Sequence, residues 1–259
     1  MTLRTALGRV GLGLVVPVVV IAVWQVATTA SPSFFWPSPL TILQTFPETW
    51  FEGRIADDVV PTLVRLLVGY ALALVIGIPL GIAIGRHLGL RLFVEPPRDL
   101  LRAIPPTVLV PVFIVFAGIG NESKVLVIFW GCFWSILLNT TEGVRGIDEV
   151  QLDIARSYRI SRMRALLRVV LPSALPKIVV GARQALSIGI IMTVISEMFA
   201  ASNGIGFNII QFQRSFSVPE MWTGMVLLGL IGVALNIVFR LVERWVVLPW
   251  YYGMQRVEK

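Results

Sequence analysis

The chain has 259 residues, 56% of them apolar and only 14% charged, with a formal net charge of +7. Uncharged runs at 10–47, 66–85, 103–121, 125–141 and 221–239 exclude a small soluble globule, because about 20 apolar helical residues span a hydrocarbon layer roughly 30 Å thick. The single cysteine, Cys132, excludes an internal disulfide and offers no metal pattern.

Six spans are predicted, at about 11–30, 60–85, 103–120, 124–140, 178–201 and 221–245. The first follows Arg4 and Arg9 as a signal peptide would, but it shows no small-residue cleavage site and reads as an uncleaved span. Segment 31–58, with Ser31, Pro32, Pro37, Pro39 and Pro47, is expected to leave the helix. It is placed at the outer surface, with Trp36 and Trp50 at the lipid headgroups; Trp222 and Trp245 suit the same level at the two ends of the last span. In the second span Gly77, Gly81 and Gly85 share one helix face, which predicts close packing against a partner that the spacing does not identify. Pro79 is a candidate kink there. Pro111 interrupts the third span, which follows Ile104-Pro105-Pro106 and reads either as a pathway-lining broken helix or as an ordinary kinked one.

An odd–even count puts the N-terminus, 86–102, 141–177 and the C-terminus on one side. Arginine and lysine gather in those segments, while the opposite loops hold only Arg54, Lys124 and Arg214. Positive charge marks the cytoplasmic side, so both termini are expected inside. Topology and contact with anionic lipid thus account for the excess charge, and nucleic acid is not an expected partner.

Segment 141–177 is too charged to insert. Met163, Leu166, Leu167 and Val170 follow the spacing of one helix face, and Leu152, Ala155 and Tyr158 mark a shorter helix before it. Ser161 is the expected N-cap of the second helix and Pro172 its expected end. The pattern alone fits either a docking surface or a pair of interfacial helices.

Here the sequence resembles the cytoplasmic Glu-Ala-Ala motif of permease subunits in binding-protein-dependent ABC importers. It reads Asp153-Ile154-Ala155-Arg156-Ser157-Tyr158-Arg159-Ile160-Ser161, followed after Val170 by Leu171-Pro172 and Leu175-Pro176. Asp153 replaces the usual glutamate and Arg159 the usual glycine. Thr62-Leu63-Val64-Arg65, Arg102-Ala103-Ile104-Pro105-Pro106, Gly118-Ile119-Gly120 and Ser196-Glu197 with Gly204-Ile205-Gly206 resemble the nitrate/sulfonate/taurine branch. The resemblance implies an all-α integral membrane fold of about six transmembrane helices, similar to type I ABC importers, as a single domain over 1–259. A cytoplasmic coupling-helix pair within 141–177 would contact a separate ABC ATPase through Asp153, Ala155, Arg156, Ser157, Tyr158, Arg159, Ile160 and Ser161. The expected assembly has two ATPase copies, an extracellular or periplasmic solute-binding protein and a second permease subunit, as a homodimer. No cofactor is expected on this chain, since ATP would be bound by the partner and the phosphate-cradling G-x-x-x-x-G-K-[ST] pattern is absent from the sequence. At Arg159 a changed bend between the helices, with the guanidinium paired to an acidic residue of the ATPase, is one expectation.

Within the spans, Arg65 and Glu197 lie about one turn inside the outer ends of two oppositely directed helices. They are expected either to pair or jointly line an outer gate, or to snorkel separately with Asp57 or Asp58 near Arg65. Ser187, Thr193, Asn139 and Asn236 are polar residues that could touch solute or bond helix to helix; Ser187 and Thr193 are the preferred pathway candidates. His87, at a span edge without partners, reads as exposed. A channel, an ion-coupled secondary transporter or a membrane enzyme fits less well, because the spans offer Glu197 as their carboxylate and no nucleophile–base pair. The solute expected from the branch is a sulfonate, taurine or a nitrate-like anion, with an uncharged heterocycle as the alternative.

Overall fold

The computed structural model describes residues 3–247, and its elements among these are helical apart from an isolated bridge between Ser33 and Trp36. The first apolar run forms α1 (Leu3–Ala30). The centre of the molecule is a layer of three long helices, α3 (Val60–Arg86), α6 (Asn121–Arg145) and α9 (Leu171–Ala200), with α6 in the middle.

Glycine spacing sets the α3–α6 contact. A Cβ placed on Gly69, Gly77, Gly81 or Gly85 would stand 2.7–3.0 Å from the side chain of Ile128, Ile136, Thr140 or Val144 respectively. Each pair has the same sequence offset, so the two helices run parallel and share one register. This names the partner that the glycine face lacked in sequence. Gly143 and Gly181 make the matching approaches between α6 and α9, in antiparallel sense, against Lys177 and Asn139. Without a hydrophobic drive between helices in lipid, such close contact is a main source of association. Gly81→Leu is therefore expected to destabilise the bundle by about 1–3 kcal/mol or more, read as a lower unfolding temperature in nanodiscs. An unchanged temperature would contradict this packing.

Four helical stretches are long and apolar enough to cross a membrane alone: Ile55–Arg86, Asn121–Arg145, Arg162–Phe199 and Val218–Trp245. Helix α4 (Leu88–Ala103) and the segment Pro106–Ala117 supply a fifth crossing if this pair, bent by 83°, is one span. Helix α1 adds a shorter apolar stretch, Val15–Ala30, so four or five crossings are counted among the described residues where about six are expected.

Several local expectations are corrected. Segment 86–102, expected as a connection between spans, is helical for most of its length as α4. The third span is not one helix over 103–120 but a 3₁₀ turn, Pro106–Leu109, and a short α5 (Val110–Ala117). Ile104 and Pro105 each precede a proline and take ψ of 118° and 127°, since the following ring disfavours the helical region; the sharp bend follows. Segment 31–58 does contain a helix, α2 (Pro39–Trp50). Ser38 caps it through the Thr41 amide at 3.1 Å, and Pro39 occupies the first helical position, where a missing donor costs nothing. Trp50 is not at the headgroups: it is 1% exposed and donates Nε1–H to Thr223 Oγ1 at 2.9 Å. It packs with Ile205, Ile209 and Phe212 of α10 (Ile205–Arg214), so α2 and α10 form an outer layer against α11 (Val218–Val242). Trp222, by contrast, meets both Trp24 and Trp36 in an aromatic cluster.

Pro172 does not end the second helix of 141–177. After α7 (Glu149–Ser157) and α8 (Arg162–Ala165), a π-turn at Leu166–Val170 leads straight into α9. A proline ring clashes with the carbonyl four residues back, here that of Arg168, inside the widened turn. Pro61 sits in the same relation to a π-turn at Ile55–Val59.

Candidate functional site

At the end of the bundle where α3 begins and α9 ends, Arg65 on α3 donates Nη1–H to Glu197 Oε1 on α9 at 2.7 Å. The pair is the centre of a larger knot. Arg65 also donates to Asn121 Oδ1 at 2.8 Å, to the Asn203 carbonyl at 3.1 Å and to Asn203 Oδ1. Glu197 accepts the Gly206 amide at 3.0 Å, and the Thr62 hydroxyl lies 2.8 Å from its Oε1. Thr62 Oγ1 in turn accepts the Ile205 amide, and Asp58 Oδ1 accepts that of Gly204. Gly204 has φ +119° and its missing Cβ would lie 2.5 Å from the Glu197 carboxyl, so no other residue fits there. Asp57 and Asp58 make no ion pair with Arg65 among the described residues.

Arg65 is 4% exposed and Glu197 is fully buried. Of the expected alternatives the two side chains form the pair, enclosed in this conformation by the knot around them. Burial of both charges is tolerated because each polar group of the pair is met from several sides. The knot joins the start of α3, the start of α6, the end of α9 and the loop into α10. Arg54 extends it, donating to Asn208 Oδ1 at 2.7 Å and lying over the Phe212 ring.

At mid-depth the two preferred pathway residues part company. Thr193 is 1% exposed and donates its hydroxyl to the Gly189 carbonyl of its own helix. Ser187 is exposed. It lies one turn from Gln184, also exposed, whose Oε1 accepts from Ser135 Oγ at 3.2 Å and Asn139 Nδ2 at 3.2 Å. Together these make an uncharged polar strip across α6 and α9. Gln184 and Ser135 went unweighed in the sequence, although their i, i+3 and i, i+4 spacing to Ser187 and Asn139 was legible. Asn236 bonds its own helix at the Gly232 carbonyl.

On the predicted cytoplasmic side, α7 turns Leu152 and the buried Ala155 inward, beside Val144, Ile147 and Val170. Its other face carries Val150, Ile154 and Tyr158, 61%, 51% and 79% exposed at i, i+4 and i+8. Met163 and Leu167 are exposed too, so the expected apolar face of the second helix divides: Leu166 and Val170 pack, and the other two do not. Tyr158 likewise does not join Leu152 and Ala155 in packing. Asp153 and Arg156 form an exposed ion pair at 3.0 Å.

The turn at Arg159 closes α7. Arg159 adopts φ 50°, the left-handed conformation that glycine favours. The Ile160 amide bonds Ala155 O and the Arg159 amide bonds Arg156 O, the closing pattern of a helix that normally uses glycine at this place. Arginine holds it at a conformational cost of about 1–2 kcal/mol. Arg159→Gly is therefore expected to slow amide hydrogen exchange at 156–161; equal or faster exchange would show that the turn carries no such strain.

These features define a polytopic helical membrane protein with a solvent-exposed helical elbow between two spans. The chain belongs to the family of binding-protein-dependent transport system inner membrane components, which it matches over residues 77–248. It is 30% identical over 234 residues to the aliphatic sulfonates transport permease protein SsuC of Bacillus subtilis (strain 168), covering 90% of this chain and 85% of that protein. It is 28% identical to the taurine transport system permease protein TauC of Escherichia coli (strain K12), over 90% and 86% of the two chains. The nitrate import permease protein NrtB of Leptolyngbya laminosa is also 28% identical, over 84% of this chain and 81% of that one. Its fold is similar to a chain of the inward-facing MetNI methionine ABC transporter, with TM-score 0.62 and 22% identity over 72% of this chain and 93% of that one.

Proposed function

We propose that this chain is one half of the translocation pathway of an ATP-driven importer, and that a separate ATPase drives it through the elbow at 149–163. The observation that carries this is the uncovered row Val150, Ile154 and Tyr158 beside Arg159: an apolar, basic surface on a segment too charged to lie in hydrocarbon. Two ATPase copies, each holding ATP, would grip two such elbows, and a second, identical permease chain would complete the pathway. An external solute-binding protein would deliver the solute to the α2–α10 end, and both termini would lie in the cytoplasm. The buried knot at Arg65 and Glu197 would hold the outer ends of α3, α6 and α9 as one body when the elbow moves.

The relatives' names support a sulfonate, taurine or nitrate-like anion as the solute. The strip Ser135, Asn139, Gln184 and Ser187 suits brief contact with such a solute, because polar residues open to the surface at this depth are unfavourable against lipid. The strip is uncharged, which favours a neutral heterocycle as a second reading. The test is reconstitution with a partner ATPase and solute-binding protein: solute-loaded binding protein should stimulate ATP hydrolysis, and Gln184→Ala should alter solute preference. Transport by this chain unaided would reject the proposal.

A further inference from the structure

We infer that the cavity behind the elbow is a binding site for a phosphate group, placed to take the headgroup of an anionic lipid. The cavity has a volume of about 840 Å³ and lies between the ends of α3 and α6 and the inward face of α7 and α8. Arginines converge on it from separate elements: Arg86 closes α3, Arg145 closes α6, Arg91 stands in the first turn of α4, and Arg162 opens α8. His87 and Arg156 add to the lining, and Glu149 is its one acidic group among the described residues.

Arg156 is paired with Asp153, but Arg86, Arg91, Arg145 and Arg162 make no salt bridge among the described residues. Guanidinium groups brought together from four helices repel one another, and their fork geometry matches phosphate oxygens. The chain provides the concavity and not the counter-charge.

Position selects the ligand. Arg86 and Arg145 end two membrane spans, which sets the cavity at headgroup depth, where basic pockets between helices take phospholipid headgroups. The cavity is lined by Leu152 and Ala155, whereas the surface proposed for the ATPase is the exposed row of Val150, Ile154 and Tyr158. A headgroup and the ATPase can therefore be held on different faces of one helix, so that lipid would steady the elbow from behind. The choice of the cytoplasmic leaflet rests on the proposed orientation; the phosphate chemistry does not.

The experiment is thermal unfolding of the full chain in nanodiscs of phosphatidylcholine, with and without phosphatidylglycerol, and with inorganic phosphate added to phosphatidylcholine alone. Stabilisation by phosphatidylglycerol only identifies the headgroup as the source, and stabilisation by both identifies a general phosphate site. The variant Arg86→Gln/Arg91→Gln/Arg145→Gln should lose at least half of the shift. The control Arg164→Gln/Arg168→Gln, outside the cavity, should keep it, and the lysine version of the triple variant should retain it even where the glutamine version folds poorly. Absence of a shift with either additive, or an equal loss in the control, would overturn the site. Neither readout involves the ATPase, so failure here leaves the proposed coupling standing, and loss of ATPase contact leaves this site standing.

Discussion

Glu197→Ala is expected to cost about 3–5 kcal/mol of stability, because it leaves a buried guanidinium uncompensated. The loss should appear as a fall in unfolding temperature and in the amount of chain recovered from membranes. Arg65→Ala should do similar damage by stranding the carboxylate. Reversing both charges should not repair either. Exchanging two ions restores a pair only when their surroundings are indifferent to sign, and these are not: the Gly206 amide and the Thr62 hydroxyl both face the carboxylate, while three oxygens of Asn121 and Asn203 face the guanidinium. An arginine at 197 would meet those donors, and its bulk would press on Gly204, where even a Cβ has no room. Thr62→Val, which removes a donor without removing a charge, is expected to cost less, about 1–3 kcal/mol. If the double reversal proved as stable as the natural chain, the knot would reduce to a simple ion pair.

How much of this was legible in the sequence varies with how local the determinant is. Arg65 and Glu197 could be brought to one depth by counting turns on opposed helices, since helical rise is regular. The groups that fix their polarity could not, because Asn203, Gly204 and Gly206 belong to a turn whose path depends on where α10 packs. The glycine face of α3 was plain, and its partner became identifiable only through the constant register with α6. Proline misled twice for one reason. Pro39 and Pro172 were read as breaks, yet one stands at a helix start and the other follows a π-turn that leaves it room. Ser38-Pro39 is in fact a helix-start signature that the neighbouring prolines masked, whereas the room for Pro172 depends on the π-turn before it. Trp50 shows the same limit: an indole at a predicted surface looks like a lipid anchor until Thr223 supplies its partner from the far end of the chain. At Arg159 the reverse holds, and the backbone keeps a glycine's conformation although the sequence had changed.

Ile154→Asp is expected to abolish co-purification with the ATPase while leaving the permease folded. Ile154 is 51% exposed at the centre of the row formed with Val150 and Tyr158, so a carboxylate there meets water in the free chain. In a docked complex it would lie at the middle of the contact, where a single substitution commonly costs 2 kcal/mol or more, roughly a thirtyfold loss of affinity. The adjacent Ala155→Asp supplies the contrast. Ala155 is 6% exposed on the inward side of α7, where it lines the cavity with Leu152 and Val170, so a bulkier carboxylate there should disturb the seating of the elbow and lower recovery of the permease itself. Two neighbouring substitutions to the same residue should thus fail differently: one keeps the permease and loses its motor, and the other loses both. Cysteines introduced at 150, 154 and 158 in a Cys132→Ala background would map the covered face, because Cys132 is buried and the chain has no other cysteine. Protection of 154 and 158 by the ATPase is the expected pattern. Full labelling of all three in the assembled transporter would place the motor somewhere else on this chain.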